Sequence, residues 1–375
     1  MTERLAALLH DEANELDIPP PDHAAILRSG KQGRIRRRMT ILLAAAAALA
    51  VVGTGAALVV NAMGDESTGD GRVAAAALEP GLISYGARST VVVGDATATI
   101  PDTLHSLAFT SVGVLVRSNP NDGASDGSGP ESLTLVADDG STTALGRIPE
   151  GVGPATDAEQ PLYALAEKSG DGFRAVIRDA RTGDEVGSVP LPDLPMSYWD
   201  VPPLALDGDV VYAGFKKEAV AFNWRTGKEQ PVHGIPGGMV EVRGGHALSY
   251  GKAGISVIDV TTGKRLTTVP LGQDEYGFGT LSPDGRYLQF TMEESPDENG
   301  QPTEPTGIDV FDVATGEHVS LDGNPYAWGW TSSSLPLYVS GTQRKVCDPE
   351  TATCESATGP KLDGELRMAG TSYES

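Results

Sequence analysis

The two cysteines of this chain, Cys347 and Cys354, flank the six-residue segment DPETAT. Across the end of a hairpin, this spacing brings two Cα atoms within the range of about 4.4–6.8 Å that a disulfide requires. Two unpaired thiols or a metal-binding pair are the alternatives. We predict a disulfide, which for so short a loop contributes about 2–3 kcal/mol in the chain-entropy description. A disulfide also suits an oxidising compartment.

Acidic side chains recur at a fixed distance before a Thr-Gly pair, in the pattern D-x-x-T-G. Carboxylates at such a spacing are either catalytic groups or turn formers. The Asp or Asn side chain accepts backbone N–H bonds two or three residues on, and the glycine adopts the positive φ that closes a hairpin. We therefore interpret these residues as blade turns. The pairs are Asp179 and Gly183, Asn223 and Gly227, Asp259 and Gly263, and Asp312 and Gly316.

The C-terminal histidines, His105, His233, His246 and His318, each fall in a different repeat unit. Such scatter is typical of isolated strand or loop residues, and the alternative is that one or two point into a central channel. The chain lacks the H-E-x-x-H, P-loop and dinucleotide-binding motifs that mark common catalytic and cofactor sites. The motifs therefore predict no catalytic residue, no cofactor and no metal site.

Two further segments have both a structural and a functional interpretation. Residues 119–131, NPNDGASDGSGPE, are rich in oxygen ligands but miss the ligand spacing of an EF-hand, so we expect a flexible loop rather than a calcium site. Trp328 and Trp330 are two residues apart and therefore share one face of a strand. We expect them to pack in the core, and a ligand platform is the alternative.

Short alternating strands separated by Gly, Asp and Pro turns extend from residue 76 to the C-terminus. The glycines of the four blade turns and Ala352, from a degenerate copy, follow one another at steps of 44, 36, 53 and 36 residues. The longest step contains an insertion, residues 293–307. Steps near 40 residues with four strands each are typical of propeller blades. Hairpin turns fall near residues 95, 140, 183, 227, 263, 316 and 352.

This spacing predicts an all-β fold over residues 76–375, a β-propeller with seven blades. Six blades is the alternative, because the first two units match the repeat weakly. We expect the cysteine hairpin, the last in the chain, to lie in the blade that closes the ring.

The segment Met39–Val60 contains 22 residues without a charge or a proline. At about 1.5 Å per helical residue it is long enough to cross a hydrocarbon core of about 30 Å. We predict a transmembrane helix over residues 39–62. A buried core helix is one alternative, although no face of the run is polar. A cleaved signal peptide is the other, although the apolar run is longer than a signal peptide's usual hydrophobic region.

The flanks of this span orient it. Basic residues crowd its N-terminal side and acidic residues follow it, so residues 1–38 are expected in the cytoplasm and the C-terminal domain outside the cell membrane. Residues 63–75 form a polar tether. Outside the tail, 45 acidic residues stand against 21 basic ones. This balance repels nucleic acid and anionic lipid, so we predict no nucleic-acid partner.

The predicted cytoplasmic tail, residues 1–38, contains Leu5, Leu9 and Leu16 at roughly helical spacing. A short amphipathic helix of this kind cannot bury much apolar surface by itself. The tail is therefore either a partly disordered leader or a docking segment that folds on a cytoplasmic regulator.

The unit ISVIDVTTGKRLTTVPLG, residues 255–272, resembles the YVTN-type and quinoprotein-type propeller repeats. The element SPDGRYL, residues 282–288, resembles TolB-type and WD-repeat-like propellers. The strands after Gly227 and Gly263 lack the tryptophan that quinoprotein repeats place there, which argues against a quinone cofactor. The overall plan is also similar to actinobacterial single-pass membrane proteins that accompany extracytoplasmic-function sigma factors. That resemblance implies a sigma factor as the cytoplasmic regulator.

A propeller specifies a scaffold rather than a chemistry. The sequence favours a membrane-anchored extracytoplasmic binding or scaffolding module for an extracytoplasmic protein or a small ligand, signalling through the tail. The alternative is a propeller enzyme, a lyase or hydrolase that acts on glycans or peptides. An enzyme is expected to gather His, Arg, Tyr and carboxylate side chains at one mouth of the channel.

Overall fold

The computed structural model describes residues 81–371 with short gaps, which are 121–128, 151–152, 197–200, 236, 239–240, 252–253, 273–275, 293–294, 297–301 and 304–305. All described residues belong to the unit Ala75–Ser375. The predicted tail 1–38, with Leu5, Leu9 and Leu16, the span 39–62 and the tether 63–75 lie outside the described residues. Within the described part of the chain, no helix has the length and apolar character that a membrane span needs.

The described residues fold into β-strands and one short 3₁₀ helix, η1 (Pro325–Ala327). The strands in chain order are β1 (Ser84–Ala87), β2 (Thr90–Val93), β3 (Ala96–Thr99), β4 (Thr103–Thr110), β5 (Gly113–Asn119), β6 (Glu131–Val136), β7 (Thr142–Ile148), β8 (Ala155–Thr156), β9 (Leu162–Ser169), β10 (Gly172–Asp179), β11 (Glu185–Pro190), β12 (Leu204–Asp207), β13 (Val210–Gly214), β14 (Ala219–Asn223), β15 (Lys228–Gln230), β16 (Val242–Arg243), β17 (His246–Gly251), β18 (Gly254–Asp259), β19 (Arg265–Val269), β20 (Gly277–Leu281), β21 (Tyr287–Met292), β22 (Ser295–Pro296), β23 (Pro302–Thr303), β24 (Gly307–Asp312), β25 (His318–Asp322), β26 (Trp328–Trp330), β27 (Pro336–Ser340), β28 (Gln343–Cys347), β29 (Cys354–Thr358) and β30 (Arg367–Met368).

These strands form seven four-stranded antiparallel sheets, the blades of a propeller, together with one two-stranded sheet in the described region. Blades 1 to 4 are β4–β7, β8–β11, β12–β15 and β16–β19, in that order. Blade 5 contains β20, β21, β24 and β25, and the small sheet β22–β23 lies within the predicted insertion between its second and third strands. Blade 6 is β26–β29, and blade 7 combines β30 with β1, β2 and β3. The all-β, seven-bladed prediction is confirmed, and the six-bladed alternative is wrong.

The ring closes by pairing the two ends of the domain. In blade 7 the innermost strand comes from the C-terminal side and pairs antiparallel with β1, with Tyr85 opposite Met368 and Gly86 opposite Arg367. The cysteine hairpin belongs to blade 6, since Cys347 and Cys354 face each other across β28 and β29. The expectation that the cysteines mark the closing blade was therefore wrong, because one further strand follows them and completes the ring.

The hydrophobic core lies between the faces of neighbouring blades. Alternating residues of each strand point to opposite sheet faces, so both faces of every blade must be apolar where a neighbour covers them. Between blades 5 and 6, Trp328 and Trp330 pack with Ile308, Val310 and other buried side chains. This is the core role that the sequence favours for the two tryptophans, and Trp328 also lines a cavity.

The repeated turns lie at one end of the ring. All seven hairpins marked in the sequence connect the third and fourth strands of a blade. In each antiparallel blade this end is opposite to the one where the first strand begins. The loops that enter each first strand, and those between second and third strands, therefore share the other end, where the insertion of blade 5 also emerges.

Candidate functional site

The first strands of the seven blades surround a central channel that widens into a cavity of about 800 Å³. This volume is within the range of roughly 300–1,000 Å³ that holds small-molecule ligands. A second cavity of about 390 Å³ adjoins it along the channel, and both contact Ser106, Leu107, Tyr250 and Thr371. The larger space, here called the mouth cavity, opens at the end where the first strands begin.

Three aromatic rings on consecutive blades line the mouth cavity and remain open to solvent. Tyr250, Phe278 and Tyr326 come from blade 4, blade 5 and the η1 turn before blade 6, and their exposed fractions are 52%, 42% and 45%. A large exposed apolar side chain is costly in water, and several together mark an interaction site. Of the five large exposed apolar side chains in the described region, three line this one cavity.

The ring of Tyr250 is fixed by its hydroxyl. The hydroxyl donates to the carbonyl oxygen of Gly279 at 3.0 Å, and the backbone N–H of Gly279 donates back to it at 3.2 Å. Burial of the hydroxyl raises the pKa of Tyr250 above its usual value of 10.0. The phenol therefore stays neutral, and it serves to hold the ring face toward the cavity rather than as an acid or base.

Three nearly buried residues that line the mouth cavity carry a polar atom with no hydrogen-bond partner in the described structure. These atoms are His105 Nε2, Gln289 Oε1 and Trp328 Nε1, on side chains that are 1%, 6% and 2% exposed. A buried polar atom without a partner costs about 1–3 kcal/mol, so most proteins satisfy such atoms. These three are among eight such atoms in the described region, and they are the ones whose side chains line the mouth cavity.

A buried cluster around Glu131 orients His105. Glu131 Oε1 lies 2.6 Å from His105 Nδ1 and accepts a hydrogen bond from Asn119 Nδ2 at 3.3 Å. Glu131 Oε2 accepts from Arg117 Nε and Nη2 at 2.9 Å and 2.7 Å. Burial alone would raise the pKa of Glu131, but the hydrogen bond from His105 and the positive charge of Arg117 outweigh it and lower the pKa. The ionised carboxylate therefore accepts the His105 Nδ1 proton, and Nε2 is left without a partner in the described structure.

The remaining charges on the lining of the mouth cavity neutralise each other. Arg367 Nη1 donates to Glu365 Oε1 at 2.8 Å, at the start of the innermost strand of blade 7. The cavity wall is consequently aromatic and polar, with its formal charges paired.

The blade turns predicted from the sequence lie at the opposite end of the ring and on its outer side. Asp259 Oδ1 accepts from the backbone of Thr261 and Thr262 at 3.0 Å and 2.8 Å, and Asn223 and Asp312 make the corresponding bond to Thr226 and Thr315. Asp179 accepts from the N–H of Arg181 instead. The four turn glycines, Gly183, Gly227, Gly263 and Gly316, have φ values of 78°, 69°, 70° and 74°. These residues shape hairpins and contribute nothing to the mouth cavity.

Cys347 and Cys354 form a disulfide with Cα atoms 4.0 Å apart, slightly less than the expected range. Cys347 is fully buried beside Trp330, whereas Cys354 is exposed. The bond holds the outer hairpin of blade 6 to its interior.

The histidines separate into one site residue and three structural ones. His246 Nδ1 lies 2.8 Å from the carbonyl oxygen of Gly285, the ring of His318 stacks on Phe311 at 4.9 Å, and the backbone N–H of His233 bonds to Val260. Only His105 among the described histidines lines the mouth cavity.

Within the described part of the chain, His, Cys, Asp and Glu side chains do not form a group of three that could hold a metal ion. Residues 121–128, the centre of the segment considered for calcium, lie outside the described residues.

The sequence did not indicate the cavity residues, although one signal was present. Arg117 and Glu131 are charged residues in or beside otherwise apolar strands, GVLVRSN and ESLTLV. Charges in such positions are rare unless they are paired, so they point to a buried cluster.

Comparisons with known proteins show no family for this chain. Neither a protein-family model nor a curated protein matches this chain. Similar solved structures include a hydrazine synthase from Kuenenia stuttgartiensis, with 14% identity, a TM-score of 0.42, and coverage of 66% of this chain and 77% of that one. A chain of the mitotic checkpoint complex has 14% identity, a TM-score of 0.44, and coverage of 84% and 91%. TolB from Acinetobacter baumannii has 14% identity, a TM-score of 0.40, and coverage of 76% and 65%. TolB is thus among the structural neighbours of this chain, and at these TM-scores the likenesses carry no conclusion about its function.

Proposed function

We propose that this protein is a membrane-anchored extracytoplasmic binding module whose ligand occupies the mouth cavity. The observation that carries the proposal is the grouping of three exposed rings around one cavity of about 800 Å³. Grouped exposed rings mark an interaction site, and a bound ligand covers their apolar surface. The site is therefore built to be occupied.

The binding proposal is tested by a thermal-shift screen of the full-length protein in detergent against a mixed small-molecule and peptide library. A ligand that binds only the folded state stabilises it by RT ln(1 + [L]/Kd) and so raises the melting temperature with the logarithm of its concentration once that exceeds Kd. We expect a hit whose shift is lost in Tyr326→Ala and retained in Tyr276→Ala, because Tyr276 is also an exposed tyrosine but does not line the cavity. Ligands that shift the melting temperature of Tyr326→Ala as much as that of wild type would contradict the proposal.

Membrane anchoring rests on the sequence of residues 39–62, the basic residues before it and the acidic residues after it. Protease added to intact cells should degrade the region after Met63 and spare an N-terminal tag. Leu49→Arg should reduce membrane retention, because an arginine at mid-bilayer costs about 2.5–3.5 kcal/mol. A protected C-terminal domain would reverse the orientation.

Signalling through the tail is the third part of the proposal. Residues 1–38 are the part assigned to the cytoplasm, and Leu5, Leu9 and Leu16 are their apolar stripe. Burying three leucines yields roughly 5–9 kcal/mol, which the cost of ordering the tail largely offsets. Binding to a regulator such as a sigma factor is therefore weak and depends on confinement at the membrane. A pull-down with the tail on a membrane mimic should recover a partner with the wild type and lose it with Leu9→Asp.

A second candidate function, a hydrolase or lyase, is favoured by one observation. His105 Nδ1 contacts the Glu131 carboxylate, and its Nε2 is unpartnered in the described structure, which is the arrangement of an oriented general base. Mass spectrometry of any identified ligand after incubation decides between the two functions. Product formation that is lost in His105→Phe would establish an enzyme. A chemically unchanged ligand would reject the enzyme and support the binding module.

A further inference from the structure

We infer that the smaller cavity, of about 390 Å³, binds the carboxylate of an apolar monocarboxylic acid through the guanidinium of Arg243. This inference goes beyond the proposed function, because it concerns a different part of the channel and a different residue. Arg243 lies on β16, the first strand of blade 4, and it lines the smaller cavity but not the mouth cavity.

Arg243 is a partly buried cation without a countercharge in the described structure. Six arginines among the described residues are not exposed, and all of them except Arg243 form an ion pair with a carboxylate. The five paired arginines are Arg117, Arg174, Arg178, Arg344 and Arg367. A charge that is withdrawn from water without a partner is costly, so its position beside a cavity points to an anionic ligand.

Most donors of the Arg243 guanidinium are available to a ligand. Nη1 donates to the carbonyl oxygen of Thr156 on blade 2 at 3.5 Å, which is longer than the usual range of about 2.7–3.2 Å. The other guanidinium nitrogens do not belong to the fully buried unpartnered atoms of the described region, so they remain open to solvent. A guanidinium with such free donors is the planar fork that binds a carboxylate through two parallel hydrogen bonds.

The other charges of the smaller cavity favour a ligand with a single negative charge. Arg117 is neutralised by Glu131, whose carboxylate lies 2.7 Å away. Glu241 also lines the cavity, and its Oε1 accepts from the backbone N–H of Leu281 on blade 5 at 2.8 Å. Arg243 is therefore the one uncompensated positive charge among the described lining residues. A dianion such as phosphate would bring one charge more than Arg243 offsets and would be repelled by Glu241.

The rest of the lining accommodates an apolar body. The side chains around the cavity are mainly aliphatic, and they include Leu107, Leu115, Pro154, Val201, Pro202 and Leu204. Covering such a surface with an apolar ligand is favourable, whereas a small inorganic anion would lose its hydration and gain only the contact with Arg243. The smaller cavity therefore favours an aromatic or aliphatic monocarboxylic acid.

The experiment is a calorimetric titration of the full-length protein in detergent with four probes of similar shape. The acid is 3-phenylpropionate, and the other probes are the neutral 3-phenylpropanamide, the dianion phenyl phosphate and the cation 2-phenylethylammonium. We expect the acid to bind, and the other three to bind about tenfold more weakly or less. Arg243→Gln should weaken binding of the acid by about 10- to 100-fold, the effect of lost hydrogen bonds between charged groups.

Arg265→Gln is the matched control. Arg265 lies on the outer strand of the same blade, is exposed and lines neither cavity. The substitution changes the net charge of the protein by the same amount as Arg243→Gln. Because water and salt screen an exposed charge, it should leave binding of the acid within about twofold of wild type.

The melting temperature of the ligand-free variants separates binding from a structural role. Replacing an unpaired, partly buried charge by a neutral amide should leave the melting temperature of Arg243→Gln unchanged or raise it. A lower melting temperature would mean that Arg243 serves to connect blades 4 and 2 through Thr156, and it would overturn the inference.

Four binding results would also overturn the inference. These are no binding of the acid, equal binding of the acid and the amide, tighter binding of phenyl phosphate than of the acid, and equal losses in Arg243→Gln and Arg265→Gln. Tyr326 lines the mouth cavity but not the smaller one, so Tyr326→Ala should retain binding of the acid. The proposed function depends on a ligand that requires Tyr326, so it can fail or stand independently of Arg243.

Discussion

Glu131 holds together the most buried charge cluster among the described residues. Its carboxylate is fully buried and bonded to His105, Arg117 and Asn119. Breaking a buried ion pair from one side leaves the other charge uncompensated. The cluster therefore fixes the inner strands of blade 1 and the orientation of His105 at the same time.

We expect Glu131→Gln to lower the free energy of unfolding by about 3–5 kcal/mol at pH 7, because it removes the buried carboxylate charge that pairs with Arg117 and accepts from Asn119. The lowered pKa of Glu131 means that the unfolded state takes up its proton first as the pH falls. The stabilisation is therefore complete above the ordinary value of 4.5 and is lost as the pH falls through the lowered pKa. Urea unfolding at pH 7 and at successively lower pH should show the difference between variant and wild type shrinking.

Glu185→Gln serves as the control for this experiment. The pKa of Glu185 is also lowered, through hydrogen bonds to Ser188 and Arg174 on the protein surface. Water screens an exposed pair, so its loss should leave the unfolding curve nearly unchanged. An equal effect of both substitutions would show that the Glu131 cluster has no special role.

At this scale the sequence predicted residues with a local role and missed those with a nonlocal one. Turn formers act on backbone groups two or three residues away, as Asp259 does with Thr262, so their role is visible in a short segment. His105 acquires its role from Glu131, which lies 26 residues away. Nothing in either segment shows that the fold brings the two together.

The hairpin turn is the element that the sequence predicted best. Its glycines recur because only glycine takes a positive φ without strain, and that requirement survives in each blade whatever the strands contain. The degenerate copies near residues 95 and 140 still mark true hairpins, at Gly94 and Gly140 with φ of 59° and 80°. The loops that lead into the first strands contain no recurring residue of this kind, so the sequence did not predict the cavity that they surround.

Two of these glycines form a matched pair for testing the turn. Gly227 and Gly263 have φ of 69° and 70°, but a Cβ at Gly227 meets open space and one at Gly263 comes within 2.8 Å of His233 Cβ. We expect Gly227→Ala to cost about 1–2 kcal/mol, the strain of the left-handed conformation alone. Gly263→Ala should cost a further 1–3 kcal/mol, roughly, for overpacking. Equal losses in chemical denaturation would show that the contact with His233 relaxes freely.

The turn in blade 6 offers the reverse test. Ala352 occupies the place of the glycine in the other turns and has a φ of 57°, within the disulfide-bonded loop. Ala352→Gly should raise the free energy of unfolding by about 0.5–1 kcal/mol, since the relief of strain exceeds the extra freedom of the unfolded chain. Because the disulfide limits that freedom, the gain should be smaller in reduced protein, as thermal unfolding with and without reductant would show.

At the scale of the whole molecule, the strand that closes the ring in blade 7 also lines the mouth cavity at one end of the ring. The innermost strand of that blade, β30, contributes Arg367 and Met368 to the lining of the mouth cavity and also pairs with β1. Met368 packs with Tyr85, Val92 and side chains of blade 6. The lining of the mouth cavity and the closure of the ring therefore depend on the same two-residue strand.

We expect truncation after Gly364 to open the ring. It removes the pairing of Met368 with Tyr85, uncovers the edge of β1 and takes away the main-chain bond from Trp330 N–H to Ala369. An uncovered edge strand invites aggregation, and a ring without its closing strand cannot bury both faces of blades 6 and 1. Calorimetry should show a lower and broader transition than wild type. Truncation after Thr371 is the control, because the strand and its contacts remain.

Met368→Ala keeps the backbone pairing, so it should lower the free energy of unfolding by about 2–5 kcal/mol while the transition stays cooperative. A sharp, unshifted transition after the longer truncation would show that the ring closes without β30.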